Sequence, residues 1–234
     1  MLFGKEEQNV AKVSVIIPTL NEAKCLLATL EALSTEAPDE IIVADAKSSD
    51  GTLDIVKNFG AIRIAPFCRG RAVQMNAGAA IATGDSLLFL HADTRLPGGG
   101  IQMIRALLDQ NKEVVGGRFR ISFDNSSLKY KLIALYTRLA AFSYGDQSFF
   151  VRKTIFDQLN GFDSKVVFED VDFYKRLRKA GITQILRQKV VTSARRFQKS
   201  GFFRQKFINI ILTLCVWAGW SNKAYLKRLY PDVR

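Results

Sequence analysis

Over roughly its first hundred residues the chain alternates short apolar runs with helix-like segments, and the runs end on polar or acidic side chains. Val13-Ser-Val-Ile-Ile17 is dense in β-branched residues, as a strand buried on both faces is. It gives way at Pro18 to Thr-Leu-Asn21-Glu22, and Ala23 to Ser34 follows with helical apolar spacing. Glu40 to Asp45 is a second buried strand, Ser48-Ser-Asp50-Gly51 is a turn, and Thr52 is placed to cap a helix through about Asn58. Arg63 to Pro66 reads as a weaker third strand, Arg71 to Ala82 as an Ala-rich helix stopped by Gly84, and Ser86 to Leu90 as a fourth strand ending at His91-Ala-Asp93. Such alternation predicts an α/β fold, a mostly parallel sheet with helices on both faces. In such sheets ligands bind beyond the carboxyl ends of the strands, which is where Asn21, Glu22, Asp45 and Asp93 stand.

The second half is less regular. Val114 to Phe123 has strand character, Leu128 to Phe142 reads as a bulky helix, and Phe149 to Arg152 as a short strand. Glu169-Asp-Val-Asp172 opens a helix closed by Gly181, Val190 to Ser193 reads as a last strand, and Phe202 to Trp220 is strongly apolar. Met1 to Lys12 is polar and does not read as a secretory leader.

The 234 residues, 48% hydrophobic and 24% charged, suffice for one larger domain and exclude intrinsic disorder. Three scattered cysteines, Cys25, Cys68 and Cys215, exclude a disulfide framework and fit a reducing, cytoplasmic setting. The net charge of +12 is localised. Residues 175–234 hold fifteen Lys and Arg against one acid, Asp232, whereas residues 1–174 hold nineteen against twenty-one acids. A near-neutral body with a basic end points away from nucleic acid as a general partner and towards one local anionic contact.

Four groups of residues can carry chemistry. Asp45, Asp50 and Asp93, with Glu22, can hydrogen-bond a nucleoside or hold Mg²⁺ or Mn²⁺ through oxygen, although Asp50 also suits a plain turn. Arg69-Gly-Arg71 opens a helix and can cradle an anion or be a solvated loop. Glu169 and Asp170 can act as a general base, or complement the helix dipole, the role that suits Asp172. Arg195 and Arg196 can hold a diphosphate, or form an exposed basic loop. His91, the lone histidine, excludes a His-based triad and a multi-His zinc site; it can contact ligand or pack.

Taken in order, Val15-Ile-Ile-Pro-Thr-Leu-Asn-Glu22, Ile41-Ile-Val-Ala-Asp-Ala-Lys-Ser-Ser-Asp-Gly-Thr52, Asn76-Ala-Gly78, Phe89-Leu-His-Ala-Asp93 and Glu169-Asp170 resemble a family-2 glycosyltransferase of GT-A fold, over about Lys12 to Phe197. Gly145-Asp-Gln147, Glu169-Asp-Val-Asp-Phe173 and Thr192-Ser-Ala-Arg-Arg196 resemble a narrower bacterial subfamily, the radical-SAM/selenodomain-associated or arsenosugar-biosynthesis type. The resemblance implies a Rossmann-like mixed sheet, a nucleotide-diphosphate sugar donor, usually a UDP-sugar, and a divalent metal, Mg or Mn. It implies that Pro18, Glu22 and Asp45 line the nucleoside site with Arg71 near the base. It places Asp93, the last acid of the DxD element, at metal and diphosphate, and makes Asp170 the base beside Glu169. Arg195 and Arg196 stand for a Gln/Arg-rich element near the diphosphate. The implied reaction is inverting transfer to a hydroxyl acceptor. Two positions depart from the pattern: His91 replaces the first DxD acid, and Lys47 replaces a glycine.

Two other enzyme classes lack their motifs. Pro18-Thr-Leu-Asn-Glu22 follows the first strand, where a nucleotidyltransferase would carry a Gly-rich, Lys-bearing loop and a dinucleotide oxidoreductase a GxGxxG. The non-enzymatic alternative is an anionic-lipid or nucleic-acid binding module built on the basic end. Residues 1–200 are expected to form the GT-A domain and 201–234 a basic, apolar helical appendage. Phe207 to Trp220 spans roughly 21 Å as a helix against a hydrocarbon core of about 30 Å, too short to cross. With Arg204, Lys206, Lys223, Lys227 and Arg228 around it and Trp217 and Trp220 near its end, it suits an anionic membrane surface, such as the inner face of the cell membrane. A core-packing or homodimer helix is the equal alternative.

Overall fold

The structure, a computed structural model, describes residues 11–60, 62–138 and 143–220, apart from the side chains of 199 and 200. The polar start before Ala11, the far end of the Leu128–Phe142 helix, and Lys223, Lys227 and Arg228 lie outside the described residues.

Eight strands form one sheet: β1 (Val13–Thr19), β2 (Glu40–Asp45), β3 (Ile62–Ile64), β4 (Ser86–Phe89), β5 (Thr94–Arg95), β6 (Val114–Phe123), β7 (Phe149–Arg152) and β8 (Ile182–Thr192). Their order is β3-β2-β1-β4-β7-β6-β8-β5. The first four pair in parallel and β6 pairs β8 in parallel, while β7 runs antiparallel to β4 and β6, and β5 antiparallel to β8. This is the mixed, mostly parallel sheet of a GT-A fold.

Strand alternation sorts the core. Val13, Val15 and Ile17 of β1, Val43 of β2 and Leu88 of β4 point to one face. There they meet Leu26, Leu30 and Leu33 of α1 (Ala23–Ser34), Val56 of α2 (Thr52–Phe59), and Ile101, Ile104 and Leu108 of α4 (Gly100–Gln110). Ile16, Ile42, Ala44, Leu87 and Phe89 point to the other. They pack on α3 (Arg71–Ile81), α6 (Lys153–Gln158) and α7 (Glu169–Ala180). Burying both faces explains the near-continuous apolar runs.

Several expectations are corrected. Pro18 lies inside β1. Leu90 N–H donates to Ile16 O and β4 has ended there, so the N–H that Pro18 lacks is not needed by the neighbouring strand. Thr52 is the first residue of α2 rather than its cap; Gly51, at φ 89, takes that position, while Thr52 Oγ1 donates to Asp50 and accepts from Glu22 N–H. The last strand starts eight residues before Val190, and β5, α4 and α6 were not read. α5 (Leu128–Tyr136) is shorter than expected. Arg195 and Arg196 open α8 (Arg195–Ser200) rather than lying in a loop, and α9 (Phe202–Trp217) follows. α9 packs through Leu212 and Val216 on Val167, Phe168 and Val171, and through Phe202 on Tyr130 of α5.

Candidate active site

β1 and β4 end on one cleft of about 530 Å³, within the usual range for small-molecule sites. Pro18, Asn21, Glu22, Arg71, His91, Asp93, Asp170, Arg195 and Arg196 all line it.

One cluster joins the start of α1, the end of β4 and the start of α8. Arg195 Nη2 lies 2.5 Å from Glu22 Oε2, and Arg195 Nε lies 2.9 Å from Asp93 Oδ2. Glu22 is buried, whereas half of the Arg195 side chain is exposed, so the guanidinium forms the accessible lip. Burial works against its charge, but Asp93 and Glu22 outweigh burial and raise its pKa above the ordinary arginine value. Arg195 therefore stays cationic while holding two carboxylates in place.

The second cluster centres on α7. Arg71 Nε lies 2.5 Å from Glu169 Oε1 and Nη2 lies 3.4 Å from Asp170 Oδ2. Asp170 Oδ2 accepts from Gly145 N–H at 2.7 Å, and Oδ1 accepts from Val171 N–H at 2.8 Å. Burial pushes the Asp170 carboxyl above its ordinary value; Arg71 opposes this and Glu169 adds to it. The chain enters α7 through Phe168, a buried aromatic held in the left-handed region at φ 64. That conformation is uncommon for a bulky residue and tends to occur where a site demands it.

Gly145 belongs to a single 3-10 turn, Gly145–Gln147. A Cβ there would sit 2.9 Å from Asp170 Oδ2 and 3.0 Å from His91 Nε2. The turn therefore packs its backbone directly between two cleft residues. Its next residue, Asp146, was not read as a site residue. It lines the cleft, its Oδ1 is buried with no hydrogen-bond partner among the described residues, and burial together with Asp170 pushes its carboxyl up to about 7. The available signal was an acid between Gly145 and Gln147 just ahead of an apolar strand.

Three of the expected positions have internal partners. The oxygens of Asp45 accept from Thr19 Oγ1 at 2.8 Å, Ser48 N–H at 2.8 Å and Ser48 Oγ at 2.6 Å. Arg71 lines the cleft while paired with Glu169 and Asp170 of α7. Asp50 accepts from Ala23 N–H at the start of α1, a structural link between two loops. Lys47 takes φ 62, so the turn keeps a left-handed residue where the family has glycine. Asn76 and Gly78 are also structural. Asn76 exchanges two hydrogen bonds with the Phe162 backbone, and Gly78 lets α3 approach Ile16, where a Cβ would come within 2.5 Å.

Among the described residues no three His, Cys, Asp or Glu side chains converge on a point. A divalent cation would thus be held by Asp93 together with ligand phosphate oxygens, the usual manner for Mg²⁺ at nucleotide sites. The donor set fits that arrangement and no all-protein cage.

A Rossmann-like half-sheet ending on acids, extended by a mixed second half that returns a carboxylate and an arginine to the same cleft, defines the GT-A class of α/β protein. Residues 14–165 match Glycosyl transferase family 2, and the chain belongs to that family. It is 27% identical over 204 residues to a Bacillus subtilis (strain 168) protein named "Probable glycosyltransferase YdaM", covering 74% of this chain and 48% of that one. It is 40% identical over 91 residues to the Mycobacterium tuberculosis (strain H37Ra) PGL/p-HBAD biosynthesis glycosyltransferase, covering 36% of each. The chain thus spans about half or less of the length of these relatives. Among solved structures it resembles the mannosyltransferase PcManGT from Pyrobaculum calidifontis in complex with GDP-Man and Mn²⁺. That match has a TM-score of 0.68 and 18% identity, over 90% of this chain and 64% of that one. It also resembles S. aureus TarS 1-349 in complex with UDP-GlcNAc, with a TM-score of 0.68 and 17% identity, over 93% and 70%. At these identities the likeness is one of fold.

Proposed function

We propose that this chain is the catalytic part of an inverting glycosyltransferase that moves a sugar from a nucleotide-diphosphate donor, of the UDP-sugar type, to a hydroxyl acceptor. The observation that carries the reading is the meeting, in one cleft, of the Glu22–Arg195–Asp93 cluster with the buried Asp170. The first is suited to a diphosphate and its cation, the second to a proton. Family membership supports the reaction class, and the folds that hold GDP-Man with Mn²⁺ and UDP-GlcNAc support the donor class.

In this mechanism Asp170 takes the proton of the acceptor hydroxyl. The oxygen attacks the anomeric carbon as the bond to the diphosphate oxygen breaks, and the diphosphate leaves with the electron pair. Arg195 and Arg196 oppose its charge. Asp93 would hold a divalent cation, which supplies further neutralisation of the leaving group when bound. Arg71 keeps Asp170 in place and holds it closer to its ionised form. Pro18 and Glu22 border the nucleoside end. Residues 1–200 carry all of these groups, with 201–234 as the appendage. The narrower, radical-SAM-associated resemblance rests on the sequence of Gly145-Asp-Gln147, Glu169-Asp-Val-Asp-Phe173 and Thr192-Ser-Ala-Arg-Arg196.

Asp170→Asn tests the reading. Transfer should fall about 10²–10⁴-fold, the usual contribution of a general base, while nucleotide-sugar binding by thermal shift stays intact. Undiminished transfer would remove Asp170 from the mechanism. A panel of nucleotide-sugars that produced no thermal shift, with or without Mn²⁺, would remove the donor assignment.

A further inference from the structure

α5 and α9 bury apolar residues on one side and expose further apolar residues on the other. Along α9 the outward positions are Phe203, Phe207, Ile210, Leu214 and Trp217, which recur at helical spacing as one stripe. Phe203 is 84% exposed, Phe207 66% and Leu214 63%. The uncharged polar residues of the helix lie on its other side: Gln205 and Thr213 are buried, and Asn209 lines the cleft. α5 repeats the pattern, with Leu128 at 71%, Leu132 and Leu135 outward and Tyr130 and Ile133 inward. The two helices touch, Tyr130 against Phe202 and Lys206 Nζ 3.5 Å from the Tyr136 ring. Their outward residues make an apolar area of a kind that soluble surfaces do not expose without an occupant.

Charge names that occupant. Neither helix contains an acid, and Lys129, Lys131, Arg204 and Lys206 lie among the apolar positions. Residues 175–234, which include α9, hold fifteen basic residues against one acid. A second copy seated on this face by two-fold symmetry would set the same basic residues against themselves, and like charges across an interface are costly. Nucleic acid would meet the lysines but leave the phenylalanines and leucines with nothing to cover them. An anionic bilayer satisfies both halves: acyl chains take the stripe and headgroups take the lysines and arginines. No helix among the described residues is long and apolar enough to cross a membrane, so the contact is one of lying on the surface. We propose that the outer face of α5 and α9 docks this protein on an anionic lipid bilayer.

Docking has a consequence for the cleft. Ile133 and Tyr136 of α5 and Asn209 of α9 line it, so the cleft lies about one helix diameter, ~10 Å, from the lipid-facing side. On the transferase reading above, the acceptor is then a hydroxyl presented at a lipid surface.

Co-sedimentation with vesicles tests the docking without turnover, so its failure is separate from any failure of the transferase reading. The full chain should sediment with phosphatidylcholine vesicles containing phosphatidylglycerol at about one lipid in three, and not with phosphatidylcholine alone. Phe207→Glu with Leu214→Glu should weaken that binding at least tenfold while the circular dichroism spectrum and nucleotide-sugar thermal shift are kept. Equal binding by this variant, or no sedimentation with anionic vesicles, would overturn the proposal. So would a dimer in analytical ultracentrifugation that the same two substitutions dissolve, since the second copy would then be the occupant.

Discussion

Arg71 is the residue whose position most sharpens the proton chemistry. Its guanidinium contacts Glu169 and Asp170 of α7, and it is the largest influence opposing the burial that raises Asp170. Removing its charge leaves burial and Glu169 opposed by the Gly145 and Val171 N–H groups but by no nearby cation of that weight, so the carboxyl of Asp170 must rise further. A base works ionised, so the acid limb of the kcat profile should move to higher pH in Arg71→Gln. Arg71→Lys, which keeps the charge but loses the fork, should restore part of the change. An unmoved limb in Arg71→Gln would mean that another group titrates. The acids at 22, 93 and 170 were legible as residues of the cleft because carboxylates at strand ends or helix starts, beside apolar runs, have few structural uses. Their partners were not. Arg195 reaches Glu22 across 173 positions, and no local pattern records such a contact. The partners of Asp45 were hidden for a similar reason: Thr19 and Ser48 donate to its oxygens, and neither differs in kind from residues that would have left it open.

At the scale of elements, β1, β2 and β4 and helices α1 and α3 were legible because burial on one or two faces writes a clear period into the side chains. β8 was not, because most of its residues are exposed or half-exposed, as in Arg187-Gln-Lys189; pairing with β6, rather than its own pattern, makes it a strand. The pairing of β6 with β8 depends on Gly117, and its pairing with β7 on Gly116. A Cβ on Gly117 would stand 2.0 Å from Gln184 O and 2.7 Å from Phe150 Cζ, and one on Gly116 would stand 2.4 Å from Phe150 O. Backbone on the partner strand cannot swing aside as a side-chain end can. Gly117→Ala should therefore cost about 3 kcal/mol, the upper end of overpacking, and lower the Tm by roughly 6–12 °C for a chain of this size. Calorimetry reads this directly, and a Tm within a degree of the parent would mean that the β6–β8 ladder is looser than drawn. Gly78→Ala is the milder control, since its nearest clash is with a side-chain methyl of Ile16 rather than with backbone.

Across the whole molecule, the cleft is closed by residues from both ends of the chain, and the charge that makes the C-terminal quarter basic begins inside it. Arg195 occupies Asp93 Oδ2 and Glu22 Oε2 together. A cation arriving at Asp93 must therefore compete with that guanidinium, and Arg195 displaced alone would lose its ion pair. On the proposed donor reading a nucleotide diphosphate would resolve the competition, because it would offer Arg195 a new anion and supply phosphate oxygens to the cation. Each ligand then removes a cost that the other would meet alone, which is positive coupling of the reciprocal kind. Mn²⁺ and UDP added together should raise the Tm by more than the sum of their separate shifts. A coupling of ~1 kcal/mol would give an excess of about 2–4 °C. In Arg195→Ala the competition is gone, so Mn²⁺ alone should stabilise more than it does in the parent and the excess should shrink. Additive shifts in the parent, or an excess that survives in Arg195→Ala, would show that the metal and the guanidinium do not share Asp93.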